Sequence, residues 1–269
     1  MQDSRIAETF QRLQGECALI CYVVAGYPDV KATADIVDAL VAGGADIIEL
    51  GIPFSDPIAD GPTIQQASHQ ALERGMTPEK ALAIAKTMRK KYPALPLLVM
   101  TYSNILVKAG VDDFLKRAKG CGINGFILPD LPVEEAADYI AFAKKYDMAT
   151  VFLASPNTSD DRLYNIASNS SGFMYLVSIY GITGARKTFE DYTAGAIKRA
   201  KGAAGSKIPV AVGFGISTPA HARFMIKAGA DAIVVGSAIV DKIARAKNRR
   251  AMLAELKAFS ASLKEACKR

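Results

Sequence analysis

The stretch Ala230-Asp-Ala-Ile-Val-Val-Gly-Ser-Ala-Ile-Val240 shows no alternation of apolar and polar residues. A strand with one wet face alternates; a continuous apolar run is what a strand covered on both faces looks like, as in a parallel sheet wrapped by helices. Such β-rich runs recur along the whole length. They are Ala18–Gly26, Ala45–Pro53, Pro96–Asn104, Gly125–Pro132, Thr150–Pro156, Gly172–Gly181, Pro209–Ser217 and Ala232–Val240, eight in all. Helical patterns lie between them at Lys31–Gly44, Thr77–Tyr92, Val111–Gly122, Val133–Asp147, Asp160–Ser170 and Thr218–Ala230. Three of these end in glycines placed to cap a helix C-terminus: Gly43/Gly44, Gly122 and Gly229.

Eight strands alternating with helices predict an α/β fold, a closed (β/α)8 TIM barrel rather than an open doubly wound sheet. No Gly-x-Gly-x-x-Gly follows the first strand, which weighs against the open alternative. An extra N-terminal helix and additional helices in the long loops complete the expected architecture. The 269 residues suit one such barrel, and no linker or low-complexity segment marks a second domain, so residues 1–269 are expected to form a single one.

The net charge of +6 is local. Residues 241–269 carry nine Lys/Arg against Asp241, Glu255 and Glu265, and the other 240 residues balance at 24 against 24. A distributed nucleic-acid footprint is therefore absent. The same terminal segment repeats Met252, Leu256, Phe259 and Leu263 at the spacing of a buried helix face, with a solvated basic side expected opposite. Cys17, Cys21, Cys121 and Cys267 lack metal-ligand spacing and read as reduced thiols. No signal-peptide pattern opens the chain and no apolar run reaches membrane-spanning length, so a cytoplasmic protein without membrane contact is expected.

Chemistry concentrates in Ile47–Gln65, IIELGIPFSDPIADGPTIQ. Glu49 sits inside a strand, where a carboxylate is costly unless paired, protonated or kept for proton transfer. Asp60 follows on a Pro/Gly/Asp loop able to fold back over the strand end. The connections after the second and sixth strands are long, and in a barrel both belong to the active face. The last two strands end in Gly213-Phe214-Gly215 and Gly236-Ser237, turns whose backbone N–H groups suit a phosphate dianion. The sixth loop, Tyr180–Arg186, has the glycines and hydroxyl of a lid. His69 and His221 fall in helical segments, and Lys108 and Lys187 are read as loop residues, which disfavours a Schiff base. No His/Asp cluster has metal spacing. Metal-free proton transfer on a small phosphorylated molecule is what remains.

The run Glu49-Leu-Gly-Ile-Pro-Phe-Ser-Asp-Pro-x-Ala-Asp-Gly-Pro-x-Ile-Gln65 resembles the signature of the tryptophan synthase alpha chain family. The likeness continues through Tyr22, Ala25-Gly26, Met100-Thr-Tyr-Ser-Asn104, Pro129-Asp-Leu-Pro-x-Glu-Glu135, Gly181-Ile-Thr-Gly-Ala-Arg186, Gly213-Phe-Gly-Ile-Ser217 and Gly236-Ser-Ala-Ile-Val240. It implies a lyase of tryptophan biosynthesis that cleaves indole-3-glycerol phosphate to indole and glyceraldehyde 3-phosphate. By that resemblance Glu49 is the general acid/base, Asp60 receives the ring N–H from a wetter loop, and Tyr175 assists. Tyr22, Met100, Ile127 and Phe214 wall the indole pocket; Gly184, Gly213, Gly215, Gly236 and Ser237 hold phosphate; Thr183 is the lid hydroxyl.

The resemblance also implies a partner, a beta chain carrying pyridoxal phosphate (PLP), in an alpha2beta2 heterotetramer, with no cofactor or metal in this chain. Pro53, Asp56, Asn104 and Asp130 would face it. Two alternatives stay open at this point: a stand-alone indole-releasing lyase, and a catalytically weak barrel serving mainly as an allosteric partner.

Overall fold

In a computed structural model of the chain, the structure describes residues 5–177, 186–213 and 215–268. Thr183, Gly184 and Phe214 lie outside them. The strands are β1 (Ala18–Val24), β2 (Ile47–Gly51), β3 (Leu97–Met100), β4 (Gly125–Ile127), β5 (Ala149–Val151), β6 (Leu153–Ala154), β7 (Met174–Val177), β8 (Val210–Gly213) and β9 (Ala232–Val235). All neighbours pair in parallel, in the order β5-β4-β3-β2-β1-β9-β8-β7-β6. The two ends of that order, β5 and β6, are successive pieces of one extended segment interrupted only at Phe152. Eight strand runs therefore close into a ring, as the spacing of the apolar runs predicts.

Both faces of every strand are covered. Ala18, Ile20, Ile47, Leu98, Ile127, Val151, Ala211 and Ala232 point into the barrel, while Leu19, Cys21, Ile48, Val99 and Ile233 pack against the helices. That double burial is the physical reason the runs do not alternate. The N-terminal helix α1 (Arg5–Arg12) contributes Ile6 to the interior cluster and closes the bottom of the barrel. There Asp46, Asn124 and Asp231, each just before a strand, accept amides at the start of the preceding strands from Leu19, Leu97 and Val210 (2.9, 2.7 and 2.8 Å).

The helices that cover the barrel are α2 (Val30–Ala42), α4 (Pro78–Lys91), α6 (Val111–Gly120), α7 (Ala137–Lys145), α8 (Asp160–Asn169), α9 (Arg186–Ala204), α10 (Pro219–Ala228) and α12 (Arg249–Cys267). Three more, α3 (Pro62–Glu73), α5 (Ser103–Ala109) and α11 (Ser237–Arg245), open the connections after β2, β3 and β9. Two sequence expectations are corrected here. The run Ala232–Val240 is a strand only to Val235, because Ile239 and Val240 are buried residues of α11. Lys108 and Lys187 lie in helices α5 and α9, not in loops.

Helix α12 buries Met252, Leu256 and Leu263 and packs on α2, where Ser260 Oγ donates to Leu40 O at 2.9 Å. Its basic side is more engaged than a solvated face: Lys264 pairs with Asp46 at 2.8 Å and Arg249 with Asp35 at 2.8 Å, while its Glu255 pairs with Lys242 of α11 at 2.8 Å. The four cysteines are free thiols, and no helix among the described residues is long and apolar enough to cross a membrane.

Candidate active site

The C-terminal ends of β1, β2, β3, β7 and β9 converge on a partly open cavity. Glu49, third in β2, points into it from the barrel wall and is buried, with no hydrogen-bond partner for Oε2. An unpaired carboxylate out of water holds its proton more tightly: burial, with the nearby charge of Asp60, pushes Glu49 up to about 8.

The segment 52–61 carries Asp60 back over this strand end. Its path is set by backbone bonds from Ile52 N to Met100 O (2.9 Å) and from Asp60 N to Pro57 O (3.1 Å). Gln65 Nε2 donates to the Asp60 carbonyl at 2.8 Å, tying the loop to α3. The Asp60 carboxylate accepts the phenolic proton of Tyr102 at 3.0 Å, and that same phenol accepts the Ala59 amide at 3.0 Å. Phe54 packs against the Tyr102 ring at 5.1 Å. Asp60 is only partly exposed, and its burial pushes it up to about 6 against the lowering effect of the Tyr102 bond. The loop is thus drier than expected, but the ordering holds: Asp60 ionises before Glu49.

Two tyrosines flank the carboxylates, each seated over a glycine. A Cβ at Gly213 would fall on the Tyr175 phenolic oxygen, and one at Gly51 would fall on that of Tyr22. Gly213 therefore makes room for Tyr175; it does not line the cavity, which reaches Gly215, Ile216, Gly236 and Ser237 instead. Gly215 has φ +75°, a left-handed conformation that glycine tolerates, and its carbonyl lies 3.2 Å from His221 Nδ1. Gly236 caps the N-terminus of α11 without a side-chain bond. The first turn of a helix leaves amides free for an anion, so Gly236 and Ser237 carry the features of a phosphate cradle.

Of the predicted pocket residues, Tyr22 and Met100 line the cavity, whereas Ile127 is fully buried in the interior cluster and pairs in register with Met100. Ile64, Ile216 and Val234 also line it and escaped the sequence reading, as did the role of Tyr102. Among the predicted partner-facing residues, Pro53 and Asn104 share a groove with Phe54, Ser55, Ile105 and Lys108. Asp56 is exposed and bonded to Ser55 Oγ. Asp130 is occupied at the start of α5, accepting from Ser103 N at 2.9 Å and Ser103 Oγ at 2.7 Å. No group of three or more His, Cys, Asp or Glu suited to a metal occurs among the described residues.

The sequence model of one protein family, Tryptophan synthase alpha chain, matches residues 10–268. The chain is 45% identical over 261 residues to the tryptophan synthase alpha chain of Methanothermobacter thermautotrophicus, spanning 97% of this chain and 95% of that one. It is 44% identical to that of Methanosarcina barkeri over 271 residues, covering 100% and 99% of the two. Among solved structures, tryptophan synthase subunit alpha from Legionella pneumophila superposes with a TM-score of 0.89 at 33% identity, over 99% of this chain and 98% of that one.

Proposed function

The chain belongs to the tryptophan synthase alpha chain family, and from that premise we propose how its cavity works as the site of a lyase that cleaves indole-3-glycerol phosphate to indole and glyceraldehyde 3-phosphate. The observation that carries the reading is the pairing of Glu49 and Asp60 in one cavity whose far wall is made of glycine turns.

At neutral pH Glu49, at about 8, enters protonated and Asp60, at about 6, enters ionised. Glu49 gives its proton to the ring carbon that bears the side chain, while Asp60 draws on the ring N–H and stabilises the positive charge that develops there. Glu49, now a carboxylate, takes the proton of the adjacent chain hydroxyl. The carbon–carbon bond breaks, its electrons return to the ring as indole, and the chain leaves as the phosphorylated aldehyde. Glu49 ends as it began, which is the requirement on a single acid/base group near neutrality.

Gly215, Gly236 and Ser237, with Gly184, are assigned to the phosphate; Tyr175 supports the reacting end, Met100 and Phe214 the indole pocket, and Thr183 the lid, while Gly213 and Ile127 act from behind the cavity wall. Residues 1–269 act as one barrel domain. The chain needs no cofactor of its own and hands indole to a PLP-dependent beta chain in the cytoplasm. Pro53, Asp56, Asn104 and Asp130 are the residues assigned to that interface.

The test is indole formation from indole-3-glycerol phosphate, with and without a beta chain, in the wild type and in Glu49→Gln. The variant is expected to bind the substrate and release no indole. Turnover retained in Glu49→Gln would sink the acid/base assignment.

A further inference from the structure

Tyr22 is built into the wall of the cavity with unusual provision. It sits in β1 directly across from Glu49 in the β1–β2 register, so both side chains face the same way. Two glycines accommodate it. A Cβ at Gly51, two residues beyond Glu49, would strike the phenolic oxygen, and one at Gly236 would come within 3.1 Å of ring Cδ1. One end of the side chain thus lies against the turn at the head of α11, and the hydroxyl lies at the end of β2 beside the carboxylates.

No hydrogen bond engages the Tyr22 phenol among the described residues, although the residue is 5% exposed and lines the cavity. Burial, then Asp60 and Glu49, raise the phenol well above its ordinary value, so it stays a neutral donor across the working range. A hydroxyl that reaches the cavity with no partner in the surrounding protein is placed to bond a ligand held there. A ring needed only as an apolar wall for indole has no use for that oxygen.

We propose that the Tyr22 hydroxyl hydrogen-bonds the middle hydroxyl of the three-carbon phosphorylated chain, the one the reaction does not consume, and so selects a dihydroxylated chain. This rests on the function proposed above. The middle hydroxyl lies between the phosphate and the reacting carbon, as the Tyr22 ring lies between the α11 turn and the Glu49/Asp60 pair. Tyr22 is a specificity-determining residue in this view, distinct from the proton-transfer groups.

The experiment crosses wild type and Tyr22→Phe with two substrates, indole-3-glycerol phosphate and its analogue lacking only the middle hydroxyl. Indole release gives kcat/KM for all four combinations. With the full substrate the variant is expected to lose about threefold to tenfold, the worth of one neutral hydrogen bond. With the deoxy analogue it should match the wild type within about twofold, and comparing ratios removes any difference in active fraction. Equal losses on both substrates, or no loss on the full one, overturn the assignment. Failure of the wild type to cleave the full substrate would overturn the function itself, and this inference with it.

Discussion

Tyr102 and Asp60, 42 residues apart, are joined by a 3.0 Å hydrogen bond in which the phenol donates to the carboxylate while accepting the amide of Ala59. One hydroxyl thus fixes both the side chain and the backbone of the loop that carries Asp60. Replacing it, as in Tyr102→Phe, leaves the Ala59 amide unpaired and takes away the contact that lowers Asp60. A hydrogen bond to a charged group is worth about 1.5–3 kcal/mol, so kcat/KM for indole release should fall by roughly tenfold to a hundredfold. The acidic limb of the pH profile should move to higher pH at the same time. An unmoved limb would show that Tyr102 does not set the ionisation of Asp60.

The pH profile follows from the two carboxylates. Activity needs Asp60 ionised and Glu49 protonated, so kcat/KM should rise as pH passes about 6 and fall as it passes about 8. The two values belong to an interacting pair, and a fit gives the apparent constants of the pair. A wild-type profile flat from pH 5 to 9, measured by indole release, would contradict the assignment of the pair.

Part of this site is legible in the sequence, and the reasons differ by residue. Glu49 and Asp60 stood out because a carboxylate within an apolar strand and another in a Pro/Gly loop conflict with simple burial. The barrel was readable because each strand is apolar on both faces. Periodicity could not separate Val235 from Ile239, since a short buried strand and a short buried helix are both continuous apolar runs. Tyr102 was invisible as a supporting group because its partner is remote in sequence and no spacing connects them. Gly213 read as a phosphate glycine, yet its missing side chain is explained by the Tyr175 oxygen above it. A glycine records that space is needed, not what fills it.

That last contact is testable by overpacking. In Gly213→Ala the new methyl lands on the Tyr175 phenol, which is itself buried between strands. The expected cost is about 1–3 kcal/mol, read from urea denaturation, together with a loss of kcat as Tyr175 shifts. Combining it with Tyr175→Phe should recover part of the stability, because the nearest atom is the oxygen. Additive losses in the double variant would refute the contact.

At the opposite end of the barrel, stability should be separable from catalysis. The Asp46 carboxylate, 5% exposed, accepts from Lys264 at 2.8 Å, from Arg12 at 3.4 Å and from the Leu19 amide at 2.9 Å. Lys264→Met keeps the apolar stem against Gly44 but strips the closest cation from a buried acid. The expected loss is about 1–3 kcal/mol, less than for a fully orphaned charge since Arg12 remains, with kcat/KM unchanged.

Glu49 should show the reverse trade. Its folded pKa of about 8 stands above the 4.5 of a free glutamate. The folded state therefore holds the extra proton, and the stability it confers is complete below about 4.5 and is lost as pH rises through about 8. Glutamine has the same shape and no charge to desolvate. Glu49→Gln should match the wild type in unfolding free energy at pH 5 and exceed it at pH 9, by on the order of 3 kcal/mol after relaxation of the site. Thermal and urea unfolding at the two pH values measure this directly. A variant no more stable than wild type at pH 9 would mean that Glu49 ionises without penalty. In that case it could not carry the proton that the cleavage requires at neutral pH.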